Sequence, residues 1–223
     1  MAILTFSNRG DIVLPDEYKD SENLLLCLMK SLFDVSKGYI WYHKSDDDSD
    51  YPQTERVFAY EFYRRWTEDL KEDKIDDYIV NGEPEKKTSN FRNGRSNFPD
   101  LVLHHSQGDI TRQGIVCEIK RGEGLTNINF RNDIEKLSYF VDEDRCDYCF
   151  QFGVFVLVGS DMGEVLSSIK KIDGGLLRFS EKFGYCNKLI CITYDGTVLE
   201  TVQLSEVLSY TSKEIDNIIK KYK

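Results

Sequence analysis

Two short apolar stretches of this chain carry charges that a protein interior does not ordinarily accept. The first, Phe98-Pro-Asp-Leu-Val-Leu103, holds Asp100, and the second, Gly114-Ile-Val-Cys-Glu-Ile-Lys120, holds Glu118 and Lys120. Side chains alternate along an extended strand, so Glu118 and Lys120 project to one face while Cys117 and Ile119 project to the other. With the first stretch paired beside the second, Asp100 joins them. Two carboxylates and an ammonium then converge on one spot, at a cost in desolvation that a fold recovers only by pairing them or binding something.

Pro99-Asp100 followed by Glu118-Ile119-Lys120 resembles the motif of the PD-(D/E)XK nuclease superfamily, the restriction-endonuclease-like phosphodiesterases. The resemblance covers roughly residues 53 to 160 and implies an α/β fold. Its restriction-endonuclease-like core is a central mixed β-sheet flanked by helices, here with N- and C-terminal additions. It also implies that Asp100 and Glu118 ligate Mg²⁺ (or Mn²⁺), with the Ile119 carbonyl as a backbone ligand, while Lys120 positions the attacking water. Hard oxygen donors suit such a cation, which supplies both an activated water and a clamp on the phosphoryl oxygens. The superfamily often adds an acidic residue from a helix preceding the strands. Glu55 fills that place, with Glu61 as second choice. Arg121, Arg92, Arg95 and His104 are the expected substrate contacts, His104 because it shares the face of Asp100 if the strand continues. Asp133 and Lys136 on the following helix are placed to contribute polar groups near the site, although such residues more often simply form a helix's solvated face.

The elements that must position these groups follow from periodicity. Thr54 is a plausible N-cap for a helix over residues 55 to 70, on which Phe58, Ala59, Phe62, Trp66 and Leu70 share a side with Glu55. Tyr78-Ile-Val80 predicts a first strand before the turn signal Asn81-Gly82, and the two motif strands follow, joined by the polar segment His104 to Gln113. A helix from Asn129 or Arg131 to Phe140 leads to the strongly strand-like Gln151–Val158. The order is helix, three strands, helix, strand. Beyond it the pattern gives a helix near 163–172, a strand at 188–194, an Asp195-Gly196 hairpin into 198–204, and closing helices. Upstream, residues 24 to 33 read as a helix capped by Asp20-Ser21, and Asp46 to Asp50 as an acidic solvated loop.

Length and composition bound the rest. A chain of 223 residues with 40% hydrophobic residues supports a substantial core, and a single domain over 1–223 is expected. No apolar run reaches the roughly 18 to 20 residues of a membrane span, and the N-terminal residues lack a signal-peptide pattern, so a cytoplasmic protein is expected. The six cysteines, Cys146 and Cys149 among them, read as packed thiols rather than a zinc site. The net charge of −10 opposes nucleic-acid binding. Its distribution is uneven, however: Lys86, Lys87, Arg92 and Arg95 run without an intervening acid into Pro99-Asp100. A nuclease acting on DNA is the expected function, with cutting of both strands of a duplex asking for a homodimer. A non-catalytic nucleic-acid-binding or protein-interaction module on the same fold is the alternative. No phosphate loop, dinucleotide fingerprint or serine-hydrolase elbow occurs.

Overall fold

A seven-stranded mixed sheet crosses the molecule in the order β1-β9-β8-β7-β6-β5-β4. The computed structural model describes residues 3–16, 23–44, 47–82, 99–105, 113–144, 149–172 and 186–223. Within these the strands are β1 (Leu4–Phe6), β2 (Trp41–Lys44), β3 (Asp47–Pro52), β4 (Tyr78–Gly82), β5 (Leu101–His105), β6 (Gln113–Arg121), β7 (Phe150–Val158), β8 (Leu189–Tyr194) and β9 (Leu199–Gln203). The α-helices are α1 (Leu24–Phe33), α2 (Glu55–Glu72), α3 (Asn127–Phe140), α4 (Met162–Lys170), α5 (Leu204–Leu208) and α6 (Ser212–Ile219). Strands β4, β5 and β6 form an antiparallel meander, β6, β7 and β8 run parallel, and β9 and β1 close the far side antiparallel.

The sheet is covered on both faces, and strand alternation decides which residue meets which layer. On β6, Ile115, Cys117 and Ile119 enter the core packed against α1 and α2, where Leu28, Phe58, Phe62 and Trp66 are fully buried. Val116 faces the opposite core, built with Phe130, Ile134 and Leu137 of α3. Strand β7 divides in the same way, with Val154, Val156 and Val158 on one side and Phe155 and Leu157 on the other. Its near-continuous apolar run is what a parallel strand buried on both faces requires.

Helix α2 begins where Thr54 accepts the Val57 N–H at 3.4 Å, satisfying one otherwise orphaned donor. Phe62 and Trp66 stack on its buried stripe with centroids 5.4 Å apart. The helix-strand-strand-strand-helix-strand order expected over the middle of the chain is the order found from α2 to β7. The acidic stretch expected as a loop is instead strand β3, paired antiparallel with β2 in a separate two-stranded sheet. Aspartates are poor strand formers, but pairing across a short connection is main-chain chemistry that side-chain propensity does not veto. Asp20 and Ser21 lie outside the described residues. Helix α1 starts instead after Asn23, at φ 56°. Among the described residues no helix is long and apolar enough to cross a membrane.

Candidate active site

Strand β6 outruns its neighbour β5, and the site forms where it does. The β5–β6 ladder ends at Leu101 opposite Cys117, with one further hydrogen bond from the Asp100 N–H to the Cys117 carbonyl at 3.1 Å. Pro99 has no N–H to continue the ladder. The Asp100 side chain takes over, its Oδ2 accepting the Ile119 N–H at 2.7 Å. On its other edge β6 stays paired with β7 as far as Arg121 opposite Val158. The proline-aspartate pair thus ends one strand and fixes a carboxylate beside the free edge of the next.

Lys120 lies at the centre of what gathers there. Its Nζ stands 3.7 Å from Glu55 Oε1, 3.9 Å from Asp100 Oδ2 and 3.7 Å from Asp133 Oδ2, and donates to the Ile119 carbonyl at 2.9 Å. Glu55 comes from the first turn of α2 and Asp133 from α3, helices on opposite faces of the sheet. Glu118 points to the α3 side, only 1% exposed, with Lys136 Nζ 2.6 Å from its Oε2. Its Oε1 is buried with no hydrogen-bond partner among the described residues. Lys136 also stands 3.9 Å from Asp133 Oδ1. Four carboxylates and two ammoniums make the cluster.

Burial and mutual charge set the protonation of these groups. Burial, reinforced by Asp100, pushes the Glu118 carboxyl up to about 8 against the pull of Lys136. Burial also raises Glu55 and Asp133, outweighing the attraction of Lys120 on each. Burial acts to lower Lys120. The combined field of Asp100, Asp133, Glu55 and Glu118 overcomes it and holds the ammonium above its ordinary value. Lys120 is therefore a fixed cation at neutral pH, a donor and not a base.

The donor chemistry is that of a hard divalent cation: carboxylate oxygens, one main-chain carbonyl, and a buried carboxylate oxygen with nothing to bond. The spacing is not that of a closed coordination shell. Among the described residues no three acidic, histidine or cysteine side chains stand close enough to hold an ion between them. Lys120 stands among the carboxylates instead. The groups that could hold such a cation are Asp100, Glu118, the Ile119 carbonyl and Glu55.

The expected substrate contacts separate. Arg121 donates to the Ile40 carbonyl at 3.0 Å and lies 5.5 Å over the Trp41 ring, so its guanidinium is committed to that packing. The register shift between Leu103 and His104 is taken up on β6, where Gly114 is the extra residue, and His104, opposite Ile79 of β4, lies four residues from Asp100 along a strand whose alternation is unbroken. Its ring is buried, with Nε2 accepting from the Asn81 amide at 2.6 Å and Nδ1 donating to the His105 carbonyl at 2.7 Å. Glu61 pairs with Arg64 at 2.6 Å and Arg65 at 2.9 Å, outside the cluster. Arg92 and Arg95 lie outside the described residues. Asp133 and Lys136, for which the solvated face was the commoner reading from sequence, are drawn into the cluster. One signal pointed there: at 100° per residue Asp133 falls beside the Phe130, Ile134 and Leu137 stripe, where a purely structural helix would carry an apolar side chain.

A scan against protein-family models matches none, and searches of curated proteins and of solved structures return no match.

Proposed function

We propose that this chain is a metal-dependent phosphodiesterase acting on DNA, with Mg²⁺ or Mn²⁺ held by Asp100, Glu118, the Ile119 carbonyl and Glu55. The observation that carries this reading is Lys120, ion-paired with carboxylates that come from α2, from the residue before β5 and from α3. Held there, a divalent ion would supply an acidified water and a sink for charge on the phosphoryl oxygens. The chain's own groups divide the remaining work. Lys120, kept protonated by its four acidic neighbours, orients the attacking water and opposes the negative charge that develops on the phosphorane oxygens. Asp100, tied to the Ile119 N–H, presents its remaining oxygen from a fixed position. Lys136, 2.6 Å from Glu118, draws its carboxyl toward the charged form against burial and the nearby Asp100, which together still hold it up at about 8 without a cation. Asp133 restrains both lysines.

The net charge of −10 favours a second reading, a non-catalytic nucleic-acid-binding or protein-interaction module on the same fold. One experiment separates the two. Labelled DNA and RNA substrates are incubated with wild type or Lys120→Ala in Mg²⁺, Mn²⁺ or EDTA. The enzyme reading expects cutting that needs the metal and falls by roughly 10²- to 10⁴-fold in the variant. No cutting by folded wild type, together with no metal binding, overturns it in favour of the module.

A further inference from the structure

Beside the cluster lies a cavity of about 600 Å³ that the cluster lines only in part. It is lined by Glu55 and Asp100 at one end, and by Arg56, Ala59, Tyr60 and Tyr63 along α2. Leu101 and Ile119 form part of the floor. On the helix, Glu55, Ala59 and Tyr63 follow one another at intervals of four, and Arg56, Tyr60 and Tyr63 occupy the adjoining row at intervals of four and three. Both tyrosines are held outward: Tyr60 is 66% exposed and Tyr63 37%, while Phe58, Phe62 and Trp66 on the same helix are fully buried. Exposed aromatic surface on the rim of a concave site is a recognition feature more often than a packing one.

We infer that this cleft receives an unpaired segment of DNA, with a nucleobase stacked on Tyr60 or Tyr63 and its phosphate led toward the cation that Glu55 and Asp100 would hold. The inference rests on the phosphodiesterase reading for its geometry, because the carboxylates and the tyrosines line one cavity. The helical rise puts Tyr63 about 12 Å along the axis from Glu55, a separation that places the stacked base a nucleotide or more away from the reacting phosphate. The size of the cavity suits one or two unstacked nucleotides. A paired base offers its neighbours' faces, not its own, to a protein side chain. Tyrosine stacking therefore selects single strands, frayed ends or flaps, and it tolerates any sequence because every base has a π-face. Arg56 adds a cation to the same wall.

The test is fluorescence anisotropy of labelled oligo-dT and of a labelled duplex in EDTA, which prevents cutting, with wild type, Tyr60→Ala, Tyr63→Ala and the double variant. Single-strand affinity is expected to exceed duplex affinity. It should fall about fivefold or more for the double variant and be restored by Tyr60→Trp with Tyr63→Trp, whose indole emission is then quenched on binding. Equal affinity of wild type and the double alanine variant for oligo-dT overturns the inference. So does a duplex bound more tightly than the single strand. The two readings fail separately. Single-strand binding that depends on the tyrosines, in a protein that never cuts, sinks the enzyme and keeps the cleft. Metal-dependent cutting unaffected by the tyrosines does the reverse.

Discussion

Glu118 is the residue whose surroundings depart furthest from those of an ordinary carboxylate. It is 1% exposed, and its folded value near 8 stands against an unperturbed 4.5. Between those two values the folded state keeps a proton that the unfolded chain has released, so stability falls as pH rises through that window. Metal-free protein in EDTA is expected to melt lower at about pH 8 than at about pH 5. Glu118→Gln should flatten that slope and raise the melting temperature at the higher pH. Identical thermal profiles for variant and wild type would mean that Lys136 keeps the carboxylate charged throughout. The motif residues themselves were plain from strand alternation, since a Glu and a Lys two apart must share a face. Asp133 and Lys136 were not, because a helix-surface carboxylate and lysine have an equally good reading as solvated residues until the strand beneath them is known.

At the level of elements, α3 is what brings Asp133 and Lys136 over β6, and its seat depends on one glycine. A Cβ on Gly153 of β7 would come within 2.8 Å of Leu189 Cδ2 and 3.2 Å of Leu137 Cβ, the latter on α3. Gly153→Ala is therefore expected to destabilise the fold by about 1–3 kcal/mol through overpacking, read from the midpoint of urea unfolding. Leu137 sits one helical position from Lys136, so a shifted α3 should also lower cleavage. An unchanged midpoint would mean that the leucines repack without strain. Most elements were evident from the chain: α1, α2, β7 and β8 carry long, strongly periodic or apolar runs. Strand β3 was not, since three aspartates in six residues read as solvated loop and only its pairing with β2 makes it a strand.

The whole molecule is acidic, and the described cations near the cluster are few: Arg56, Lys120, Lys136 and Arg121. A binder that neutralises only two or three phosphates releases few counterions. The affinity for single-stranded DNA in EDTA is therefore expected to decline gently with salt. The plot of log K against log salt concentration should have a slope of about −2, from roughly −0.7 per phosphate. A slope several times steeper would place an extended basic track on the protein surface. The net negative charge also means that Mg²⁺ should tighten binding beyond its local effect, which the same titration with Ca²⁺ in place of EDTA would register.

What the sequence determined by itself was local. Strand alternation put Glu118 and Lys120 on one face, and the 3.6-residue period put Glu55 in line with an aromatic core stripe. These are properties of a few consecutive residues and of main-chain geometry, and no distant contact can change them. Tertiary structure decided which of several equally placed charges would meet. Glu55 reached Lys120 while Glu61, six residues on, was captured by two arginines of its own helix. Arg121 went to Trp41, and the His104 ring was taken up by Asn81 of the neighbouring strand. Such choices turn on which long side chain reaches which partner first across separate layers, a matter of ångströms between elements far apart in the chain.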